Sequence, residues 1–338
     1  SSDLPVSIVL GPSISLINIL IISIFFLSLK IFDKSFIFKK DLIFFLLIFV
    51  YIYLLFNLII SIDYTQGIFR NFGFLRYILL FFAINYYFSI SKRSDHFFLV
   101  WTLFIYIIVF DIFIEFFLGR NLFGYGEAYA NRIVSFFKDE PIVGGYILGF
   151  MFIIVGFLFD KFKDKKIHYK VLILILLSIL FISIVLTGER SNSFKAVFGI
   201  IIFLSLNRNI NLSNKIIMAL SVIIIVVSII FSSNYLKARY GHQLFSNFFD
   251  SEKRSKYIEW NPYLRLYKSG YAMFKDYPIF GVGNKNYRIV AQDFEKNEYY
   301  YPSTHPHQIY FEFLSEHGIV GSIILLCVFF YLIFKNLK

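Results

Sequence analysis

Cysteine and charged residues are both scarce in this chain of 338 residues. Cys327 is the single cysteine, so neither a disulfide nor a thiolate metal site can form within one chain. Charged residues make up only 16% of the sequence, against about 25% in an average soluble domain. This composition excludes a typical soluble domain.

Hydrophobic residues are abundant and occur in long runs: 58% of the residues are hydrophobic and 21% are aromatic. A helix needs about 20 apolar residues to cross a bilayer. Stretches that approach or reach this length lie near residues 5–29, 42–62, 74–90, 97–118, 142–159, 171–187, 194–206, 215–232 and 319–334. The sequence therefore predicts an all-α, polytopic integral membrane bundle of about nine transmembrane helices.

The order of these runs predicts three regions. Residues 1–232 form a transmembrane bundle of about eight helices, residues 233–318 form a large outer loop that contains short helices, and residues 319–338 form the final transmembrane helix. The sequence opens with Ser1 and its first run lacks the features of a signal peptide. We therefore expect this bundle to be a fragment of a longer one.

The net charge of +11 does not indicate nucleic acid in a membrane protein, where the distribution of charge matters more than its sum. One set of alternating loops holds fifteen positive residues: Lys30, Lys34, Lys39, Lys40, Lys92, Arg93, Lys161, Lys163, Lys165, Lys166, Lys170, Arg208, Lys215, Lys335 and Lys338. The positive-inside rule assigns this set to the cytoplasm. Residues 233–318 then face outward, into the periplasm if the cell has an outer membrane.

Lysine and arginine are distributed differently on the two sides. Thirteen of the fifteen inner charges are lysine, whereas four of the five positive residues in the short outer loops are arginine. These five are Arg70, Arg120, Arg132, Lys138 and Arg190. Because a guanidinium group binds phosphate through two parallel hydrogen bonds, arginine outside suggests phosphate recognition. The alternative is contact with lipid headgroups.

The outer loop carries two helix signals. Asn261-Pro262 predicts the start of an amphipathic helix that ends at Asp276-Tyr277-Pro278, with Arg265 in its first turn. Pro306 and Gly318 predict a second, short helix over residues 306–317 that leads directly into the last span. His307 would lie at its N-terminus, where the helix dipole disfavours imidazolium and leaves a neutral ring able to accept a proton.

Several segments together resemble the O-antigen ligase and polymerase family. His307-Gln308, nine residues, then Gly318-Ile319-Val320-Gly321 is similar to the family signature, and Asp276–Asn284 resembles the stretch that precedes it. Leu186-Thr187-Gly188-Glu189-Arg190 is similar to the family's Thr-Gly-x-Arg, although Phe194 stands where leucine is commoner. The segment from Arg132 to Pro141 resembles an outer segment of the family.

This resemblance implies transfer of a glycan from an undecaprenyl diphosphate donor to an acceptor hydroxyl, on a lipid A core or another glycan, with inversion and without a metal or other cofactor. His307 is the candidate base, and Arg190 and Arg265 are candidate cations for the diphosphate. Arg239 and Arg132 are further candidates for the same role, and His305 is a candidate for orienting His307 or the acceptor. Besides donor and acceptor, the expected partners are membrane lipids.

Other functions stay open at this stage. The sequence contains no Asp-x-Asp, and His305 with His307 supplies too few ligands for a catalytic zinc. A transporter or a flippase for lipid or polysaccharide is the main rival, with Asp111 and Glu115 as the acids within a predicted span. Another lipid-linked glycosyltransferase, such as a peptidoglycan polymerase, is the alternative within the same class.

Overall fold

The computed structural model describes residues 3–32, 41–90, 94–126, 132–138, 140–162, 165–207, 210–242, 261–293 and 295–337. Helix accounts for 79% of the residues that the structure describes, and no strand occurs among them. The helices in chain order are α1 (Leu4–Leu10), α2 (Pro12–Phe32), α3 (Leu42–Ile59), α4 (Tyr64–Gly73), α5 (Leu75–Ile90), α6 (Ser94–Leu118), α7 (Val143–Lys161), α8 (Ile167–Leu186), α9 (Arg190–Leu206), α10 (Leu212–Ser232), α11 (Asn234–Leu236), α12 (Pro262–Asp276), α13 (Tyr287–Val290) and α14 (Ile309–Leu337). A 3₁₀ turn, Ser135–Phe137, precedes α7, and a π-helical turn, Lys237–His242, follows α11.

Eight stretches among the described residues are long and apolar enough to cross a membrane. They are Pro12–Leu29, Leu42–Ile59, Tyr64–Phe88, Asp95–Leu118, Val143–Lys161, His168–Leu186, Leu212–Ser232 and Ile309–Lys335. The predicted run at residues 194–206 lies in α9, whose 17 residues fall short of the roughly 20 that a bilayer requires. The predicted polytopic helical bundle is therefore confirmed, with eight candidate spans where about nine were expected.

Two predicted boundaries were wrong for local reasons. The run at residues 5–29 is broken at Gly11, whose φ of 115° is open to glycine and strained for other residues, and α2 then begins at Pro12. Pro306 does not lie in a helical turn, because α14 begins only at Ile309. The side-chain oxygen of Gln308 caps this start by accepting from the backbone N–H groups of Tyr310 (2.7 Å) and Phe311 (3.1 Å).

Some of the predicted features fall in segments that are not described. Residues 243–260 of the predicted outer loop lie outside the described residues. The same holds for eight of the predicted cytoplasmic charges: Lys34, Lys39, Lys40, Lys92, Arg93, Lys163, Arg208 and Lys338.

The chain divides into two compact units. Unit 1 comprises Ser1–Asn18 with Ile90–Asp250, and unit 2 comprises Ile19–Ser89 with Ser251–Lys338. The fully buried residues of unit 1 recur every three or four positions on α6, α7 and α8, as one helix face requires. They include Ile105, Ile108, Ile112, Ile147, Met151, Ile154, Leu177, Leu180 and Ile184. These three helices form the core of unit 1.

The two acids of α6 anchor the segment that follows it. Asp111 accepts hydrogen bonds from the backbone N–H of Leu122 (2.8 Å) and from the hydroxyl of Ser135 (2.6 Å). Glu115 accepts from the backbone N–H groups of Val134 (3.0 Å) and Ser135 (2.7 Å). Buried acids need such partners, and together these bonds hold the turn after Arg132 against α6.

Unit 2 contains α3, α4, α5 and the C-terminal helices α12, α13 and α14. The predicted α12 is confirmed: the side chain of Asn261 accepts from the backbone N–H groups of Tyr263 and Leu264, Pro262 follows it, and the helix ends at Asp276. A small apolar core that includes Met273, Val282, Tyr287 and Tyr300 joins α12 to the segment after it. Helix α12 also packs along the first turns of α14.

Candidate active site

The six residues predicted to form the site divide equally between the two units. Arg132, Arg190 and Arg239 belong to unit 1, and Arg265, His305 and His307 belong to unit 2. Each group is described within its own unit.

The Thr187–Arg190 turn of unit 1 brings two of the predicted arginines together. Gly188 has a φ of +71°, a conformation that glycine adopts without strain. Its carbonyl oxygen accepts hydrogen bonds from Nε (3.3 Å) and Nη2 (3.1 Å) of Arg239. Nη1 of Arg190 in turn donates to the carbonyl oxygen of Arg239 at 3.4 Å. The turn therefore fixes the Arg239 guanidinium and places Arg190 beside the backbone of Arg239.

Three positive charges act on one another in this region. Burial lowers the pKa of the Arg239 guanidinium, and the charges of Arg190 and Arg132 lower it further. Tyr235 and Tyr240 act in the opposite direction. Holding like charges together costs free energy that a bound anion can repay. The geometry of these three arginines therefore suits a ligand with more than one negative charge.

Glu189 holds the turn to the start of α7, a role that the sequence did not reveal. Its buried carboxylate accepts from the backbone N–H groups of Gly144 (2.7 Å) and Gly145 (3.1 Å). An acidic side chain at a helix N-terminus satisfies free N–H groups and interacts favourably with the helix dipole. Burial raises the pKa of Glu189, and these hydrogen bonds oppose that rise. The residue next to Arg190 is thus fixed in position.

Arg132 lines a cavity of about 210 Å³ in unit 1. Glu115, Ile133, Ser233 and Tyr235 also line it. The Nε atom of Arg132 is buried and has no hydrogen-bond partner in the described part of the chain. Buried donors in folded proteins almost always have a hydrogen-bond acceptor. An anion bound in the cavity would be the acceptor for this N–H group.

His305 and His307 of unit 2 form a pair beside α12. Their ring centroids are 4.0 Å apart, and the His307 ring also contacts Tyr263 edge-on, at 5.9 Å between centroids. The hydroxyl of Thr304 lies 2.8 Å from Nδ1 of His305. His307 is exposed and has a φ of +55°, which is uncommon for a residue other than glycine. The His307 side chain is therefore accessible to a ligand.

The pKa of His307 is lowered from its ordinary value of 6.5. Partial burial of the ring is the main cause and the neighbouring His305 adds to it, whereas Glu312 acts in the opposite direction. The direction agrees with the neutral imidazole expected from the sequence. The expected cause was the dipole of a helix that contains residue 307, but α14 begins two residues later.

Arg265 lies one turn into α12, and its guanidinium stacks on the ring of Tyr301, 4.4 Å from the ring centroid. Stacking of this kind holds the planar group while leaving its edge N–H donors free to bind a ligand. The backbone N–H of Tyr301 donates to the hydroxyl of Ser269 at 3.0 Å. Helix α12 thus positions Arg265 and contacts His307 through Tyr263.

The glycine-rich segment after α12 and the kink in α14 are joined through their backbones. Val282 and Gly283 donate to the carbonyl oxygens of Ser315 and Glu316, each at 2.9 Å, and Ile319 donates to the carbonyl oxygen of Pro278 at 2.9 Å. A methyl group added at Gly281 would lie 2.4 Å from the carbonyl carbon of Glu316. These glycines therefore have a structural role, because they allow the two backbones to approach each other closely.

A second cavity, of about 140 Å³ and with a mostly apolar lining, lies in unit 2. Its lining includes Arg70, Asn284, Glu312, Glu316 and His317. Nδ1 of His317 and Oδ1 of Asn284 are buried without hydrogen-bond partners among the described residues. Glu312 pairs with Arg70 at 3.3 Å. Glu316 is buried, with only 2% of its surface exposed.

Residues 174–326 match the family described as O-antigen ligase. No curated protein and no solved structure matches the chain. The protein is thus a polytopic helical membrane protein, of which 153 of 338 residues, somewhat less than half, match the O-antigen ligase family. This match supports its assignment to the O-antigen ligase and polymerase family and confirms the resemblance seen in the sequence. The matched range contains five of the six predicted site residues and leaves out Arg132.

The family points to an O-antigen ligase- or polymerase-like glycosyltransferase, and it implies a lipid-linked glycan donor, an acceptor and membrane lipids as partners. Among the residues that the structure describes, no group of three or more His, Cys, Asp or Glu side chains is placed to hold a metal ion.

Proposed function

We propose that this protein transfers a glycan from undecaprenyl diphosphate to an acceptor hydroxyl on the outer, periplasmic face of a bacterial inner membrane, with inversion and without a metal. The observation that carries the proposal is the His305–His307 pair inside the O-antigen ligase match, where burial and His305 lower the pKa of His307. The proposal also includes three regions: a transmembrane bundle over residues 1–232, a loop outside the membrane over residues 233–318, and a final span over residues 319–338. The histidine pair lies in the outer loop.

The proposed reaction is a single displacement. The acceptor hydroxyl oxygen attacks the anomeric carbon on the face opposite the diphosphate, and its proton passes to the neutral ring of His307. The bond between the anomeric carbon and the diphosphate oxygen breaks, and that oxygen keeps the electron pair. Attack from the opposite face inverts the anomeric centre.

The departing diphosphate gains negative charge, which arginines stabilise. We assign this role to Arg190 and Arg265, supported by Arg239 and Arg132, whose charges already act on one another in unit 1. His305 is a positioning residue for His307. Asp111 and Glu115, the acids that favoured a carrier, are engaged with Leu122, Val134 and Ser135, which leaves transport without a supporting observation.

The first test uses protein purified into lipid nanodiscs, with a synthetic undecaprenyl diphosphate glycan as donor. Lipid A core and the free glycan repeat serve as two alternative acceptors, and each reaction is run with and without EDTA. We expect His307→Ala to lower the transfer rate by about 10²–10⁴-fold, the range for loss of a general base. His168→Ala changes an exposed histidine of α8 and is the matched control. Wild-type rates in His307→Ala would remove His307 as the base, and activity that EDTA abolishes would favour a metal-dependent enzyme.

The second test asks whether Arg190 supplies more than charge. We expect Arg190→Lys to be nearly as damaging as Arg190→Ala, because an ammonium group cannot form the two parallel bonds of guanidinium to phosphate. Lys195→Ala removes an exposed cation from the same helix and is the control. Full activity of Arg190→Lys would reduce Arg190 to a headgroup contact. Transfer to lipid A core in these assays would identify a ligase, and transfer to the free glycan repeat would identify a polymerase.

A further inference from the structure

A third cavity, of about 520 Å³, opens on unit 2 next to the histidine pair. Its polar lining comes from α4, from α13 with the turn after it, and from the loop that leads to His305. These residues are Gln66, Arg288, Gln292, Ser303 and Thr304. The volume lies within the roughly 300–1,000 Å³ of typical small-molecule sites. None of these five residues has a role in the mechanism above.

The lining has the hydrogen-bonding character of a carbohydrate site. Sugar hydroxyls both donate and accept, as do the amides of Gln66 and Gln292 and the hydroxyls of Ser303 and Thr304. Arg288 adds donors only, and its Nε is buried with no partner in the part of the chain that the structure describes. With one cation among the lining residues, the cavity suits a neutral or weakly anionic polyol better than a diphosphate.

The cavity is also connected to the candidate base. Thr304 lines the cavity, and its hydroxyl lies 2.8 Å from Nδ1 of His305. The His305 ring lies 4.0 Å from the His307 ring, between centroids. A base must come within hydrogen-bond reach of the hydroxyl that it deprotonates. A sugar in this cavity would therefore lie beside Thr304, which contacts His305, the neighbour of His307.

We infer that this cavity binds the acceptor glycan and orients its attacking hydroxyl toward His307, with Gln292 and Arg288 as the residues that recognise the sugar. The inference rests on the function proposed above and adds the place where the acceptor is held.

Photo-crosslinking in cells that make the natural glycans tests occupancy directly. p-Benzoylphenylalanine is introduced at Gln292, which is exposed at the cavity, and in a control at Tyr299, which is 56% exposed and lies outside it. After irradiation and purification under denaturing conditions, acid hydrolysis and mass spectrometry measure the monosaccharides attached to the protein. We expect sugar on the Gln292 variant at ten times or more the level on the Tyr299 variant. Equal levels on both variants would overturn the inference.

Kinetics and a second variant separate this inference from the proposed function. We expect Gln292→Ala to raise the acceptor KM about tenfold, the effect of losing one good hydrogen bond, with the donor KM unchanged. A rise in the donor KM alone would overturn the assignment to the acceptor. In the background of His307→Ala the crosslink should persist while transfer is lost. If His307→Ala stays active and the crosslink forms, the proposed base fails and the cavity assignment stands. An inactive His307→Ala without a specific crosslink refutes the cavity assignment alone.

Discussion

Replacing Gly318 with alanine tests whether the motif glycine is structural, and the structure allows its cost to be worked out. Gly318 lies within α14 with φ of 61° and ψ of −162°, a region of backbone conformation that is essentially restricted to glycine. An added methyl group would lie 2.3 Å from the carbonyl oxygen of Ile279 and 2.6 Å from the backbone nitrogen of Phe280. Both contacts are with backbone, which cannot move aside as a flexible side chain can.

Two costs follow from this geometry. Backbone strain at a conformation of this kind costs about 1–3 kcal/mol, and forcing extra volume into a packed site costs roughly another 1–3 kcal/mol. The same movement would strain the hydrogen bonds from Ile319 to Pro278 (2.9 Å) and from Val320 to Ile279 (3.2 Å). Gly318→Ala should therefore destabilise the protein by about 2–6 kcal/mol.

The assay is thermal unfolding of the purified protein in detergent, with Gly156→Ala as the matched control. Gly156 is an exposed position of α7 where an added methyl group meets no described atom within 4 Å. Alanine is favoured over glycine in a helix by about 0.5–1 kcal/mol, so this control should be neutral or slightly stabilising. We expect the midpoint of Gly318→Ala to fall by at least about 4 °C, using roughly 2–4 °C per kcal/mol. A midpoint equal to that of the control would refute the structural role.

Three further predictions concern pH, the Thr187–Arg190 turn and topology. Because a base must be neutral and the pKa of His307 lies below 6.5, transfer should be independent of pH above about 6.5 and fall about tenfold per pH unit below that pKa. His305→Ala should shift this acid limb to higher pH by removing a neighbour that lowers the pKa, and a shift to lower pH would contradict the assignment. Glu189→Gln should lower stability by about 1–3 kcal/mol, since a buried charged acceptor is lost, and an unchanged unfolding midpoint would refute its role in fixing the turn. In a variant without Cys327, a cysteine at Gln292 should react with an impermeant maleimide from outside intact cells, whereas one at Lys165 should be protected; the reverse pattern would invert the topology.

The start and the end of α12 could be predicted from the sequence because their signals are local. Asn261 and Pro262 favour a helix start regardless of the surroundings, and the structure confirms it. Helix α14 did not follow its local signal. Pro306 suits a first turn, yet Gln308 caps the helix two residues later. Nothing in the sequence distinguishes these two starts. Gln308 can cap the helix only because the fold of the preceding loop places its side chain next to the first N–H groups.

In the candidate site, too, some residues could be identified from the sequence and others could not. His307, Arg190 and Arg265 were found because their spacing resembles a family signature, which the match over residues 174–326 supports. Glu189 and the cavity residue Arg288 were missed, since neither lies in a pattern of its own. Their positions depend on contacts with distant parts of the chain, such as the bonds from Gly144 and Gly145 to Glu189.

The sequence by itself determined that this chain is a membrane protein of many helices, because the length of an apolar run and the thickness of a bilayer are both fixed quantities. It also determined the candidate chemistry, because few side chains accept a proton or bind a diphosphate. Tertiary structure alone decided which arginines share one electrostatic environment, which acids serve as anchors and where a sugar can enter. Those outcomes depend on residues far apart in the chain being packed together, which no local pattern records.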